Sequence, residues 1–175
     1  MEKALFLYSS HDGQTIKIMK YIEKIYGEEF ECDWINLATY PKVDFSLYNK
    51  VVVGAAIRYG FLHKSLYRFI EQYQRELGKH EAAFFCVNLT ARKEGKDKPE
   101  NSVYMQTFLK KSPWKPKYQA VFAGALRYPR YKWLDKVMIQ FIMKITKGET
   151  DTSKEVEYTN WSKVKAFALL TKGHK

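Results

Sequence analysis

After a short apolar run at residues 3–8 the chain reads Ser9-Ser10-His11-Asp12-Gly13-Gln14-Thr15, and helical periodicity follows. Three hydroxyls and a glycine ahead of a helix can cradle a phosphate. Backbone N–H groups and the helix dipole attract the anion, the hydroxyls donate to its oxygens, and Gly13 lets the backbone approach closely. The same residue types can also do no more than cap the helix. There is no G-x-G-x-x-G and no lysine-bearing triphosphate loop, which argues against a dinucleotide or a nucleoside triphosphate.

What such a loop can do depends on the elements around it. Apolar, strand-like runs lie at 3–8, 30–36, 50–54, 81–88 and 118–125, and those at 50–54 and 81–88 are almost continuously hydrophobic, as in strands covered on both faces. Between and after them, 15–26, 64–77, 101–111 and 161–172 carry apolar residues at helical spacing. This alternation predicts an α/β fold, a doubly wound five-stranded parallel sheet of the flavodoxin-like order, with ligands beyond the C-terminal ends of strands 1 and 3. Two further loops then face the same crevice. One holds Ile57, Arg58, Tyr59 and Gly60; the other holds Asn88, Leu89, Thr90, Ala91 and Arg92. Tyr59 can stack on a flat ring, Gly60 allows the tight turn, and backbone groups at 88–91 can read a polar ring edge. Alone, Tyr59 also reads as an ordinary half-buried tyrosine. A phosphate cradle plus an aromatic loop at one switch point describes a flavin mononucleotide (FMN) site.

The bulk properties suit one domain over residues 1–175, without linkers or repeats. Cys32 and Cys86 sit in strand-like runs and read as reduced core residues. The N-terminus reads as a strand and lacks signal-peptide features. No metal-ligand spacing is evident. The longest apolar run, 133–145, falls short of the roughly 20 residues that span a bilayer. The net charge is +11, and residues 110–147 supply most of it: ten Lys or Arg against Asp135 alone, a net +9. Such a balance points to nucleic acid, anionic lipid or an anionic small molecule.

Residues 126–160 are extra to a five-strand unit and form a basic, aromatic, helical insertion before the last helix. Its run 134–145 is apolar on more of its circumference than one docked stripe requires. The fold covers one side; lipid, substrate or a second copy of the chain must cover the other. Basic flanks favour a membrane surface carrying anionic lipid.

The blocks Asp12-Gly-Gln-Thr15, Ile57-Arg-Tyr-Gly60, Ala91-Arg-Lys93, Gly124-Ala-Leu-Arg-Tyr-Pro-Arg-Tyr131 and Gly148-Glu-Thr-Asp-Thr152 carry a resemblance over the whole chain. The chain resembles the flavodoxin-like, quinone-dependent protoporphyrinogen IX dehydrogenases of Gram-negative bacteria. The last two blocks are the specific ones. The family pattern has two glycines before Glu149; here Lys147 precedes Gly148, which can still end the helix. The resemblance implies FMN, protoporphyrinogen IX as substrate, and menaquinone or ubiquinone as acceptor. It also implies haem biosynthesis at the cytoplasmic face of the bacterial inner membrane, with peripheral attachment. The flavin would carry the redox chemistry, and no side chain stands out as a general base. Arg127, Arg130 and Lys132 would clamp the propionates. Tyr128, Tyr131 and Trp133 would pack on the macrocycle. Arg58 and Arg92 are further candidate anchors, and His11 and His63 lie near the crevice. Each charge taken singly reads more readily as a solvated surface residue, and it is the cluster that favours a functional role. An NAD(P)H:quinone oxidoreductase of the same fold, and a basic nucleic-acid-binding module without enzyme activity, are the competing classes.

Overall fold

The computed structural model describes residues 1–173. Five parallel strands, β1 (Glu2–Ser9), β2 (Phe30–Asn36), β3 (Lys50–Ala56), β4 (Ala82–Asn88) and β5 (Tyr118–Ala123), form one sheet in the order β2-β1-β3-β4-β5. The reversal of strand order lies between β1 and β3, where the two chain directions diverge and leave a crevice. Alternation along each strand divides the core. Phe6, Val52, Ala83 and Phe85 pack with Ile18, Met19 and Ile22 of α1 (Gln14–Tyr26) and with Val164 and Phe167 of α5 (Trp161–Lys172). Leu5, Leu7, Val51, Val53 and Phe84 pack with Leu66, Phe69 and Ile70 of α2 (Lys64–Lys79) and with Met105 and Phe108 of α3 (Val103–Lys111). Cys86 is buried and Cys32 half-buried, and both are free thiols.

The expected fifth strand, 118–125, is shorter in the structure. Its alternation runs on through Gly124, but the chain leaves the sheet there. Gly124 N–H donates to Asn88 at 3.1 Å, and Gly124 C=O accepts from Tyr158 at 3.0 Å. Beyond it β6 (Ala125–Arg127) pairs antiparallel with β7 (Glu155–Glu157) in a separate two-stranded sheet. Between them lies α4 (Trp133–Ile145).

α4 rests on a small cluster of its own: Leu126, Tyr128 and Met143 are buried, with Leu89, Tyr131 and Ile139 against them. The other half of its circumference faces outward. Trp133, Leu134, Val137, Met138, Phe141 and Ile145 are all exposed, Trp133 by 74% and Phe141 by 61%, and Ile142 lies at the border with the inner side. At 100° per residue they span about half the helix surface. No described helix is long and apolar enough to cross a membrane.

The chain leaves α4 through Lys147 and Gly148. Gly148 is not the left-handed residue; Lys147 is, at φ 57°. Gly148 N–H donates to Met143 C=O at 2.7 Å, the closing bond of a Schellman turn. Gly148 is small for another reason: an added Cβ would press on Met143 and lie 2.9 Å from Arg92 Nη2. Lysine at the left-handed position is strained, whereas glycine is not. Lys147→Gly is therefore expected to stabilise the fold by up to about 1 kcal/mol, seen as a higher midpoint in urea denaturation at unchanged slope.

Candidate cofactor cleft

The C-terminal ends of β1, β3, β4 and β5 and the inner side of α4 enclose a cleft of about 550 Å³. The β1 loop forms one end. Ser9 is buried at the end of its strand. Ser10 Oγ accepts from Gly13 N–H at 3.2 Å, and Asp12 Oδ1 accepts from Gln14 N–H at 3.1 Å. The capping reading is thus realised for these two side chains. It is not the whole account, because Thr15 Oγ1 is fully buried without a hydrogen-bond partner. Gly13 holds φ 90°, and a Cβ there would meet no neighbour. Its glycine is needed for backbone conformation and leaves open space beside the loop. Gly13→Val should force the loop out of shape and give a folded protein that is isolated colourless; a normally yellow Gly13→Val protein would refute this loop as the cofactor anchor.

The β3 loop supplies Ile57, Arg58, Tyr59 and Gly60 to the cleft, with Tyr59 at φ 50° and 44% exposed. From the β4 loop come Asn88, Leu89, Thr90 and Arg92; Ala91 is buried just behind. Asn88 Oδ1 accepts from Ala91 N–H at 2.9 Å, while its buried Nδ2 has no partner. Opposite stand Ile139, Ile142 and Met143 of α4, an aliphatic wall, with Tyr131 and Tyr104 at its borders.

Two arginines tie α4 across this cleft. Arg58 Nη2 donates to Asp135 Oδ2 at 2.9 Å and Nη1 lies 3.3 Å from His11 Nδ1. Arg92 donates to Leu89 C=O at 2.8 Å and to the backbone and hydroxyl oxygens of Thr146 at 3.2 and 3.0 Å. Each end of α4 is therefore held by one of the two loops that flank the crevice. Burial and the nearby Arg58 charge push the His11 imidazole below its ordinary value, so it is neutral at pH 7. His63 is close enough to lower His11 further, but its ring is occupied in capping α2, accepting from Ser65 N–H at 3.1 Å.

A family profile described as Flavodoxin domain matches residues 5–153. The protoporphyrinogen IX dehydrogenase (quinone) of Escherichia coli K12 is 44% identical over 167 residues, which cover 95% of this chain and 92% of that one. The protein of the same name from Leishmania major is 45% identical over 168 residues, covering 95% and 73%. The chain belongs to the flavodoxin-like protoporphyrinogen IX dehydrogenase family. Among solved structures, two-electron reduced flavodoxin from Megasphaera elsdenii matches with a TM-score of 0.50 at 11% identity, over 67% of this chain and 84% of that one, and shows the fold alone.

Not every residue expected to meet a substrate of this dehydrogenase family lies in the cleft. Arg130, Tyr131 and Lys132 do. Arg127, Tyr128 and Trp133 do not line it. Arg127 is only 9% exposed and turns toward the first turn of α1, where Gln14 Oε1 accepts from it. Tyr128 is completely buried under α4 and donates to Glu149 C=O at 2.6 Å. Burial pushes its hydroxyl up to about 12, so it remains a neutral phenol. Trp133 points outward with the exposed face of α4. Conversely, Asp135, Tyr104 and the inner aliphatic side of α4 were missed as cleft residues. The isolated acid within a run of ten cations was the available signal for Asp135.

Proposed function

We propose that the chain binds FMN in this cleft and oxidises protoporphyrinogen IX to protoporphyrin IX, passing electrons to menaquinone or ubiquinone in haem biosynthesis. The observation that carries the cofactor is the pair of buried, unpartnered polar atoms, Thr15 Oγ1 at the β1 loop and Asn88 Nδ2 at the β4 loop. Buried polar groups are rarely left unpaired; Asn88 lines the cleft, and a phosphate held by the loop just ahead of Thr15 would give Thr15 Oγ1 its missing partner. Tyr59 stands where it can cover one ring face, and Ile139, Ile142 and Met143 of α4 line the other wall.

When bound, the flavin supplies two-electron redox chemistry, so a six-electron oxidation requires three rounds. The chain's own residues bind, orient and exclude water. Ile139, Ile142 and Met143 suit a large apolar macrocycle. Of the cleft cations, Arg58 is committed to Asp135, Arg92 to Thr146 and Arg130 to Glu155 at 2.7 Å. Among the described residues Lys132 joins no ion pair, which leaves its ammonium for a substrate carboxylate. His11, neutral and accepting from Arg58 at Nδ1, presents an Nε2–H donor. Lys132→Ala is expected to raise KM for protoporphyrinogen about tenfold at nearly unchanged kcat, the value of one charge-assisted contact.

The exposed face of α4, bordered by Lys132, Lys136, Lys144 and Lys147, is proposed to lie on the cytoplasmic surface of the bacterial inner membrane. There it would meet the acceptor quinone and anionic headgroups. The cofactor reading is tested by isolating the protein, releasing its pigment with acid and identifying the flavin. FMN at near-stoichiometric amount is expected; a colourless protein that retains nucleic acid would favour a binding module, and rapid reduction by NADPH would favour the alternative oxidoreductase.

A further inference from the structure

The insertion reaches back to the phosphate loop through one buried cation. Arg127, at the end of β6, lies behind the start of α1. Its Nη2 donates to Gln14 Oε1; Asp12 Oδ2 stands 3.8 Å from Nη1, and Glu157 Oε2 3.9 Å from Nη2. Both ion-pair distances are too long for hydrogen bonds, and Nη1 is buried with no hydrogen-bond partner. Gln14 is itself buried and spans the gap: its Nε2 donates to Thr159 Oγ1 at 2.9 Å, and Thr159 donates to Ala123 C=O at 2.6 Å. Hydrogen bonds from Lys17, Trp161 and Gln14 outweigh the burial of Glu157 and hold its carboxyl below the usual range. It therefore stays anionic beside Arg127. The first turn of α1 is thus gripped by residues on both sides of the insertion.

A guanidinium costs free energy to bury unless its charge and its donors are satisfied. Here Asp12 and Glu157 balance its charge, but its donors are satisfied only in part, and the unsatisfied edge faces Asp12 within the phosphate loop. We infer that Arg127 is a positioning residue for the cofactor phosphate. It fixes Gln14 and Asp12 so that the loop is set to receive a dianion. The insertion, on this assignment, is part of the cofactor site as well as of the substrate cleft. The inference rests on the FMN reading above and adds to it a dependence on the phosphate group in particular.

Riboflavin is the discriminating probe, because it has the ring of FMN without the phosphate. Dissociation constants for both are measured by fluorescence quenching on apoprotein of the wild type, Arg127→Gln and Arg127→Lys. Arg127→Gln should weaken FMN by at least about tenfold and leave riboflavin within about twofold. Arg127→Lys keeps the charge but loses the planar fork, so FMN should weaken by about threefold, again without riboflavin. The lysine variant decides the matter alone if the glutamine variant does not fold. Equal weakening of both ligands would show general support of the site and overturn the assignment, as would unchanged FMN binding. A wild type that binds neither flavin would instead defeat the cofactor reading itself.

Discussion

Reversing the charge of Lys136 and Lys144 is expected to release the protein from anionic vesicles while FMN stays bound. Both lysines border the exposed apolar half of α4, neither lines the cleft, and among the described residues neither joins an ion pair. Each cation near an anionic surface contributes about 1 kcal/mol. Two reversals remove two attractions and add two repulsions, roughly 4 kcal/mol, or about a thousandfold in partitioning. High salt should mimic the variant in part, because it screens exposed charges. A companion Phe141→Ser/Ile145→Ser variant removes about 1.5–3 kcal/mol of apolar burial per side chain and should also fail to bind, but without the salt dependence. Co-sedimentation measures all of these. A wild type that ignores anionic vesicles and sediments as a stable dimer would instead assign this face to a second copy of the chain.

Gly54→Val is expected to cause a far larger loss of stability than any surface change. Gly54 lies in β3 at the centre of the sheet, and a Cβ there would strike the ring of Phe85 in β4, with Cε1 and Cε2 at 2.8 and 2.9 Å. Phe85 cannot yield, since it is fully buried against Phe122 and Phe167 at ring distances of 5.5 and 6.0 Å. Overpacking of this kind costs at least about 3 kcal/mol when the obstacle is a locked aromatic ring and two further methyls follow the Cβ. In a chain of this size that corresponds to a drop of about 6–12 °C in Tm. Calorimetry checks it, and a Tm within about 2 °C of wild type would mean that the core has room not visible in the packing.

The parallel sheet was legible because it is written in long segments. Each of its strands and helices repeats an apolar pattern several times, and the strand order follows from alternation and a right-handed crossover rule. The three loops at the crevice followed directly from that order. The small sheet of β6 and β7 was not legible, since three-residue strands contain too little pattern, and Gly124 interrupted an alternation that otherwise ran straight through. Arg127, Arg130, Lys132, Tyr128, Tyr131 and Trp133 form one basic, aromatic segment in sequence, yet the structure sends them to four different environments, with Arg130, Tyr131 and Lys132 at the cleft. Arg127 goes under the phosphate loop to a partner 113 positions away, Tyr128 goes under α4, and Trp133 goes outward. Composition gives the charge of a segment, but only the fold decides which of its cations are already neutralised.

Anaerobic oxidation of protoporphyrinogen IX by the purified, FMN-loaded protein, with menaquinone in vesicles as acceptor, bears most directly on the assigned function. Protoporphyrin fluorescence should rise in proportion to enzyme, with three quinones reduced per porphyrin formed, as a two-electron flavin and a six-electron oxidation require. No fluorescence above the enzyme-free rate with either menaquinone or ubiquinone, from protein that carries its flavin, would contradict it.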